Sequence, residues 1–228
     1  MATKIMPPDR EGVYWTKPSV ITTPAQWRKA VSALQKQDRV FAGLVKRIKP
    51  FQFQPRLNKA PLAALVSAIV NQQLSNKVAA TILNRVNALI AQDGFPCPEK
   101  ILSTPDTDLR QAGLSFMKVS YLKDLAKKYM EGILSPLEKL KQMPDEQIVK
   151  EFTQIKGVGR WTVEMYLIFD LGRADVFPTL DFGVRKAISQ IYGLPEVPEP
   201  KEIEKYGDLW KPYRSVASLY LWRSLDNK

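Results

Sequence analysis

Two separated segments carry the residue types best suited to chemistry. In Ile155–Trp161, Gly157 and Gly159 flank a single residue where one predicted helix ends and another begins. Further along, a lone carboxylate, Asp181, stands at the predicted start of the next helix. Glycine permits a positive φ and lets a phosphate approach the backbone closely, and the first amides of a helix are free to bind it. The two segments therefore join a candidate phosphate-binding turn to one acid.

The charge of the chain favours a polyanionic partner. Its 228 residues include 34 Lys and Arg against 23 Asp and Glu, a net charge of +11. Nucleic acid is the commonest polyanion. A basic protein without such a partner, or one that touches anionic lipid, would carry the same charge.

Missing residue types exclude several kinds of catalytic site. The sequence has no histidine, which excludes histidine bases, serine–histidine nucleophiles and most zinc sites. Cys97 is the single cysteine, so a disulfide and an iron–sulfur cluster are excluded as well. Carboxylates, lysines, tyrosines and hydroxyls remain, and we expect no cofactor.

Hydrophobic periodicity predicts an all-α fold. No convincing period-two strand pattern occurs, and the longest mainly apolar run, Leu62–Val70, is too short to cross a bilayer. We expect one domain over 1–228, made of two interleaved helical lobes with a cleft between them. Lobe one would span about 60–172 and lobe two about 22–59 plus 173–228, after an irregular segment 1–21. No signal peptide is visible, which favours a protein that is not secreted and that works in the cytoplasm at the nucleoid of a bacterium or in the nucleus of a eukaryote.

The glycine turn has two interpretations. Lys156 and Arg160 place positive charge on either side of it, and Thr162 lies in the first turn of the helix that follows. Such a site would position DNA through its backbone without reading its sequence. An ordinary corner between two helices would use the same glycines, because the Gly-x-Gly pattern is short.

Together these residues resemble the helix-hairpin-helix (HhH-GPD) DNA glycosylases, in their compact form without an N-terminal sheet domain. The match is closest to the 3-methyladenine DNA glycosylase II type and covers roughly Phe41 to Trp222. It rests on several separated motifs: Ile155–Trp161 with Asp181, Asn71–Ser75, Ala112–Ser115, Lys118, Tyr121–Leu122 and Trp210–Ser215. Lys156 departs from the family, which usually has proline there.

The resemblance makes Asp181 the catalytic acid. Glycosidic bonds break through an oxocarbenium-like sugar, which a nearby carboxylate stabilises while it orients water. One carboxylate suffices when the leaving base is already cationic, as an N3- or N7-alkylated purine is. Without the motif, a helix N-cap would be the commoner role for such an aspartate. Asp175 is the rival acid, although its surroundings favour a structural turn.

The resemblance also implies how the damaged base is reached and held. Trp161, Trp222 and Met165 would line the base pocket, although both tryptophans could equally be core residues. Relatives that nick the strand through a Schiff base carry lysine where Trp161 stands, so a monofunctional enzyme is implied. Gln73, with Leu74 beside it, would fill the gap left by the flipped nucleotide. Metal would take no part in the chemistry, but a monovalent cation could sit on backbone carbonyls of the turn, those of Thr153, Ile155 and Val158.

The sequence thus predicts a monomeric glycosylase that removes alkylated purines from double-stranded DNA and leaves an abasic site, with no membrane partner. A non-catalytic binder of damaged DNA is the alternative in a different class. A glycosylase for uracil or an oxidised base is the alternative within the same class.

Overall fold

The computed structural model describes residues 18–226, and this part of the chain is mainly helical. The segment 1–21 was predicted to be irregular, and its residues 1–17 lie outside the described part. The helices of the described part are α1 Pro24–Gln37, α2 Arg39–Arg47, α3 Pro61–Asn71, α4 Asn76–Ile90, α5 Pro98–Ser103, α6 Asp106–Gln111, α7 Phe116–Met130, α8 Leu137–Leu140, α9 Asp145–Phe152, α10 Arg160–Phe169, α11 Phe182–Tyr192, α12 Glu204–Leu209 and α13 Arg214–Asp226. The all-α prediction is confirmed.

One short hairpin interrupts the helices. Strands β1 (Ala91–Gln92) and β2 (Phe95–Pro96) pair antiparallel across Asp93 and Gly94. Both turn residues have a positive φ, 51° at Asp93 and 83° at Gly94, which is the backbone that an Asp-Gly hairpin turn requires. Two residues per strand are too few to show a period-two pattern, so these strands were not predicted from the sequence.

The described chain divides into two compact units. One is Asn58–Val163, and the other joins Pro18–Leu57 to the segment that begins at Glu164. The division along the chain therefore falls inside α10. No helix between residues 18 and 226 is both long and apolar enough to cross a membrane.

The unit Asn58–Val163 is organised around α3. This helix packs against α4 and α7, and α7 also contacts α5 and α6. Seven of its eleven residues are buried, because it is apolar on almost every side. Pro61 occupies its first turn, where the missing N–H is no loss.

The other unit packs α1, α2, α11 and α13 around one apolar core. A buried carboxylate, Asp38, ties this core together. Its Oδ1 accepts N–H bonds from Val40 and Phe41 and so caps α2, while its Oδ2 accepts the Trp210 indole N–H at 2.9 Å and the Tyr192 hydroxyl. Each oxygen of this buried carboxylate is hydrogen-bonded, as its burial requires.

Candidate functional site

The glycine turn between α9 and α10 has a buried apolar side and an exposed polar side. Ile155 and Val158 are buried, and Val158 N–H closes the turn on the Ile155 carbonyl at 3.1 Å. Lys156, Gly157 and Gly159 are exposed. Because the apolar pair anchors the turn, its charged and glycine backbone faces solvent.

Gly157 is required by the fold itself. Its φ is 76°, and a Cβ added there would lie 2.2 Å from Cδ2 of Tyr121 on α7. A side chain would therefore meet both an unfavourable backbone conformation and an aromatic ring. The ring of Tyr121 packs directly on the glycine backbone.

Gly159 differs from Gly157 in both respects. Its φ is not in the left-handed region, and a Cβ added there would meet no atom within 4 Å. No contact within the described residues therefore requires glycine here, although its carbonyl accepts the Val163 N–H at the start of α10, where glycine is preferred to alanine. Glycine there would also let an external group, such as a phosphate, approach the backbone closely.

The carboxylate of Asp124 on α7 accepts a hydrogen bond from the backbone of the glycine turn. Asp124 Oδ2 accepts the backbone N–H of Lys156 at 2.8 Å and the ammonium of Lys128 at 2.9 Å. Burial acts to raise the pKa of Asp124, but the Lys156 N–H and the Lys128 ammonium together hold it below its ordinary value. Lys128 also donates to the carbonyl of Gln154, so one α7 lysine supports both the carboxylate and the turn.

The start of α10 supplies the groups that bind anions. The first amides of a helix have no partner within it and carry the positive end of its dipole. Arg160 stands in this first turn, and its guanidinium forms a forked ion pair with Glu146 at 2.9 and 2.6 Å. This pair is exposed and lowers the pKa of Glu146, with the hydrogen bonds from Arg160 as the main cause. The Thr162 side chain is buried, so only its backbone could contact DNA.

The segment after α3 presents one exposed side chain. Gln73 is exposed with a φ of 58°, whereas its neighbours Gln72 and Leu74 are half-buried. Gln72 donates its side-chain amide to the Gly157 carbonyl at 2.8 Å, which connects this segment to the glycine turn. Two motifs that lie 85 residues apart in sequence are thus directly bonded.

Asp181 is the N-cap of α11. Its Oδ1 accepts the backbone N–H of Val184 at 2.8 Å and the indole N–H of Trp222 at 2.9 Å. The predicted acid and a predicted pocket tryptophan are therefore in direct contact. Two donors on one oxygen fix the orientation of the carboxylate.

Gly183 makes this contact possible. A Cβ added there would lie 3.0 Å from Asp181 Oδ1 and 3.2 Å from Trp222 Cδ1. A side chain at this position would push the carboxylate and the indole apart.

Two phenylalanine rings, Phe169 and Phe53, pack in sequence against the Trp222 indole. Trp222 stacks on Phe169 with ring centroids 5.8 Å apart, and Phe53 meets the Phe169 ring edge-on at 5.5 Å. The orientation of Trp222 is therefore set by packing as well as by its hydrogen bond.

The other candidate residues are distributed as follows. The Trp161 side chain is 43% exposed, which the core alternative does not predict, and Met165 is half-buried. Asp175, the rival acid, is engaged by Arg214, whose Nε lies 2.7 Å from its Oδ1 and Nη2 3.0 Å from its Oδ2. This forked pair gives Asp175 a structural role at the start of α13.

Within residues 18–226, no three His, Cys, Asp or Glu side chains converge where they could hold a metal ion. A cation on backbone carbonyls is a different kind of site and stays a prediction. Of its three carbonyls, that of Ile155 also accepts the Val158 N–H.

Sequence reasoning named Lys118 and Tyr121 among the family motifs but assigned no role to the residues that support the turn. Tyr121, Asp124 and Lys128 lie on α7 at spacings of three and four, which places them on one face of the helix. Lys118 continues that face, and we call these four residues the α7 face. The helical spacing was visible in the sequence, but the turn that the face supports was not.

Comparisons with known proteins identify the family to which the chain belongs. The family model described as HhH-GPD superfamily base excision DNA repair protein matches residues 66–212. DNA-3-methyladenine glycosylase 1 of Schizosaccharomyces pombe is 32% identical over 91% of this chain and 90% of its own length. A solved 3-methyladenine DNA glycosylase of the same yeast, in complex with abasic DNA, superposes with a TM-score of 0.79 at 34% identity, covering 87% of this chain and 97% of that one. A DNA-3-methyladenine glycosidase structure from Bacillus halodurans gives a TM-score of 0.77 at 32% identity and covers 92% of both chains.

Proposed function

The chain belongs to the HhH-GPD superfamily of base excision DNA repair proteins and is a DNA glycosylase, and we propose that Asp181 hydrolyses the N-glycosidic bond of alkylated purines in duplex DNA. The observation that carries this proposal is the pair of N–H donors on Asp181 Oδ1. They aim a single carboxylate from the start of α11, and a single carboxylate is what a cationic leaving base requires.

Asp181 would act in two ways on the bound nucleotide. Its negative charge would stabilise the sugar cation as the bond to the base breaks, and it would orient the water that attacks the anomeric carbon. An alkylated purine leaves as a neutral base, so no second acid is needed to protonate it. The product is an abasic site in an unbroken strand.

Binding to DNA would use the glycine turn and the exposed residues around it. The first amides of α10, with Lys156 and Arg160, would hold a backbone phosphate, and Gly159 would let it approach. This contact is the same for every sequence, so it would position the enzyme while the base pocket selects the lesion. A monovalent cation on the carbonyls of Thr153, Ile155 and Val158 would strengthen the same phosphate site.

The base pocket would present indole faces to the extruded base. Trp161 and Trp222, with Met165, are the residues we propose for it, and an indole face attracts a cationic ring by about 0.5–2 kcal/mol. Because that attraction is modest, we expect several alkylated purines to be accepted. We further propose that the enzyme acts as a monomer, in the compartment that holds the genome.

The decisive experiment is release of free bases from methylated duplex DNA, resolved by chromatography, for the wild type and Asp181→Asn. We expect methylated purines from the wild type only, with DNA binding kept in the variant. Full activity in Asp181→Asn would refute the assignment of the acid. No release by the wild type, with tight binding to DNA, would favour a non-catalytic binder or a different lesion.

A further inference from the structure

Lys118 on α7 contacts the end of α3. Its ammonium donates to the carbonyl of Val70 at 2.8 Å and to the carbonyl of Gln72 at 2.7 Å. These carbonyls lie where α3 runs out of N–H partners, and the last turn of α3 has no basic residue of its own. A cation at the C-terminal end of a helix also opposes the negative end of its dipole. Lys118 therefore serves as the missing cap of α3.

Gln73, which directly follows Gln72, has a backbone conformation that needs such support. Gln73 has a φ of 58°, and a left-handed backbone costs a side-chain-bearing residue about 1–2 kcal/mol. Glycine would avoid this cost, yet the position carries a long, exposed side chain. Strained residues of this kind persist where the surrounding structure holds them, and they cluster at functional sites.

Lys118 and Gln72 together hold this turn. Lys118 bonds the Gln72 carbonyl directly before Gln73, and the Gln72 side chain bonds the Gly157 carbonyl in the glycine turn. Lys118 is half-buried, and no salt bridge within residues 18–226 involves its ammonium. Its burial lowers the pKa of Lys118, as expected for a lysine turned toward the protein rather than toward solvent. These are the features of a structural donor and not of a phosphate-binding lysine.

We propose that Lys118 is a positioning residue that keeps the Gln73 turn preformed, so that the Gln73 side chain is set for insertion before DNA binds. The proposal rests on the proposed function, in which Gln73 fills the gap left by the extruded nucleotide. Preforming the turn removes an ordering cost from the step in which the base leaves the stack. Through Gln72 the same turn is fixed to the segment that would bind the phosphate.

A double-mutant cycle tests this coupling. Base release from methylated duplex is measured under single-turnover conditions at saturating enzyme for wild type, Lys118→Met, Gln73→Ala and the double variant. Lys118→Met keeps an unbranched side chain one atom shorter than lysine and removes its donors. We expect it to slow release by roughly tenfold, the usual effect of losing hydrogen bonds from a charged donor. In the Gln73→Ala background the same change should cost less than about twofold, because contacting or coupled sites are not additive.

A matched control variant distinguishes a positioning role of Lys118 from the mere loss of one positive charge on α7. Lys127→Met removes one lysine from the same helix, where its side chain is exposed and pairs only loosely with Glu131 at 3.9 Å. We expect wild-type release from it. The salt dependence of DNA binding should have the same slope for wild type and Lys118→Met, whereas loss of a phosphate contact lowers the slope by about one.

Three results would overturn the proposal. The first is an additive cycle, which would show that Lys118 acts on overall stability and not through Gln73. The second is a reduced salt slope with an unchanged rate at saturation, which would make Lys118 a phosphate contact. The third is full activity in Gln73→Ala, since nothing would then need positioning. If Lys118→Met does not fold, the cycle is run with Lys118→Gln, which keeps one donor. Failure of the proposed function itself appears separately, as no base release by the wild type.

Discussion

Trp222 donates its indole N–H to Oδ1 of Asp181 at 2.9 Å, the oxygen that also caps α11. The tryptophan that the family resemblance assigns to the base pocket thus also donates a hydrogen bond to the predicted acid. Its ring stacks on Phe169, so the donor has a fixed direction. In the proposed mechanism, recognition of the base and orientation of the acid would therefore share one side chain.

Replacing the Trp222 indole with a ring that has no N–H donor should slow the chemical step. Trp222→Phe keeps an aromatic face for the base but leaves Asp181 with one fewer donor, and we expect single-turnover release to fall by about tenfold, with DNA affinity nearly unchanged. Trp210→Phe is the matched control, because Trp210 donates its indole N–H to Asp38 within the core at the same distance, 2.9 Å. That control should lower the thermal midpoint and leave the rate intact. An unchanged rate in Trp222→Phe would show that Asp181 does not need this bond.

Substitution of the two candidate acids, Asp181 and Asp175, should have opposite effects on activity and stability. Asp181→Asn should lose at least about a hundredfold in base release with little change in stability, because asparagine also caps helices well. Asp175→Asn should do the reverse: weakening the pair with Arg214 costs about 1–2 kcal/mol of unfolding free energy, and release should remain within about twofold. Denaturant unfolding and the release assay, run on both variants, measure this. The opposite pattern would make Asp175 the acid.

The two glycines of the turn should respond differently to alanine. Gly157→Ala should destabilise the fold by roughly 2–4 kcal/mol, since it combines a left-handed backbone with a clash against Tyr121. Gly159→Ala should lower the free energy of unfolding by only about 1 kcal/mol, the usual cost of a poorer helix N-cap, but should bind duplex DNA on the order of tenfold more weakly. Unfolding curves and DNA titrations at fixed salt check both expectations. Unchanged DNA affinity in Gly159→Ala would remove this glycine from the phosphate site.

Neutralising Glu146 should strengthen DNA binding. Glu146 competes with phosphate for Arg160, and because their pair is exposed its removal should raise affinity only about two- to fivefold. The slope of log affinity against log salt should become steeper. Glu138→Gln, which breaks the exposed pair with Lys141, has the same charge change and should show neither effect. Equal gains from both variants would mean that net charge alone is responsible.

Borohydride should trap no covalent adduct between the enzyme and abasic DNA. Trp161 stands where strand-nicking relatives carry lysine, and an indole cannot form an imine. Denaturing gels of borohydride-treated mixtures measure this, with Trp161→Lys as the comparison. A strong adduct with the wild type would contradict the monofunctional assignment.

The sequence by itself determined the helical fold, the glycine turn and the position of Asp181 at the start of a helix. These depend on local rules: the apolar spacing of a helix, the freedom of glycine, and the preference of aspartate for an N-cap. The start of α1 is an example: Thr23 caps the helix and Pro24 occupies its first position, and both effects act within one turn of the chain.

Only the tertiary structure decided which residues hold the site in place. Trp222 reaches Asp181 across 41 residues, and Gln72 reaches Gly157 across 85. Neither the role of the α7 face nor the space that Gly183 leaves follows from local pattern, because each depends on which surfaces meet once the helices pack. The same limit applied to Asp175: its surroundings in the sequence favoured a structural turn, but only the structure showed that Arg214 is its partner. Hydrogen bonds between distant segments are specified by packing, and packing is settled by the whole chain at once.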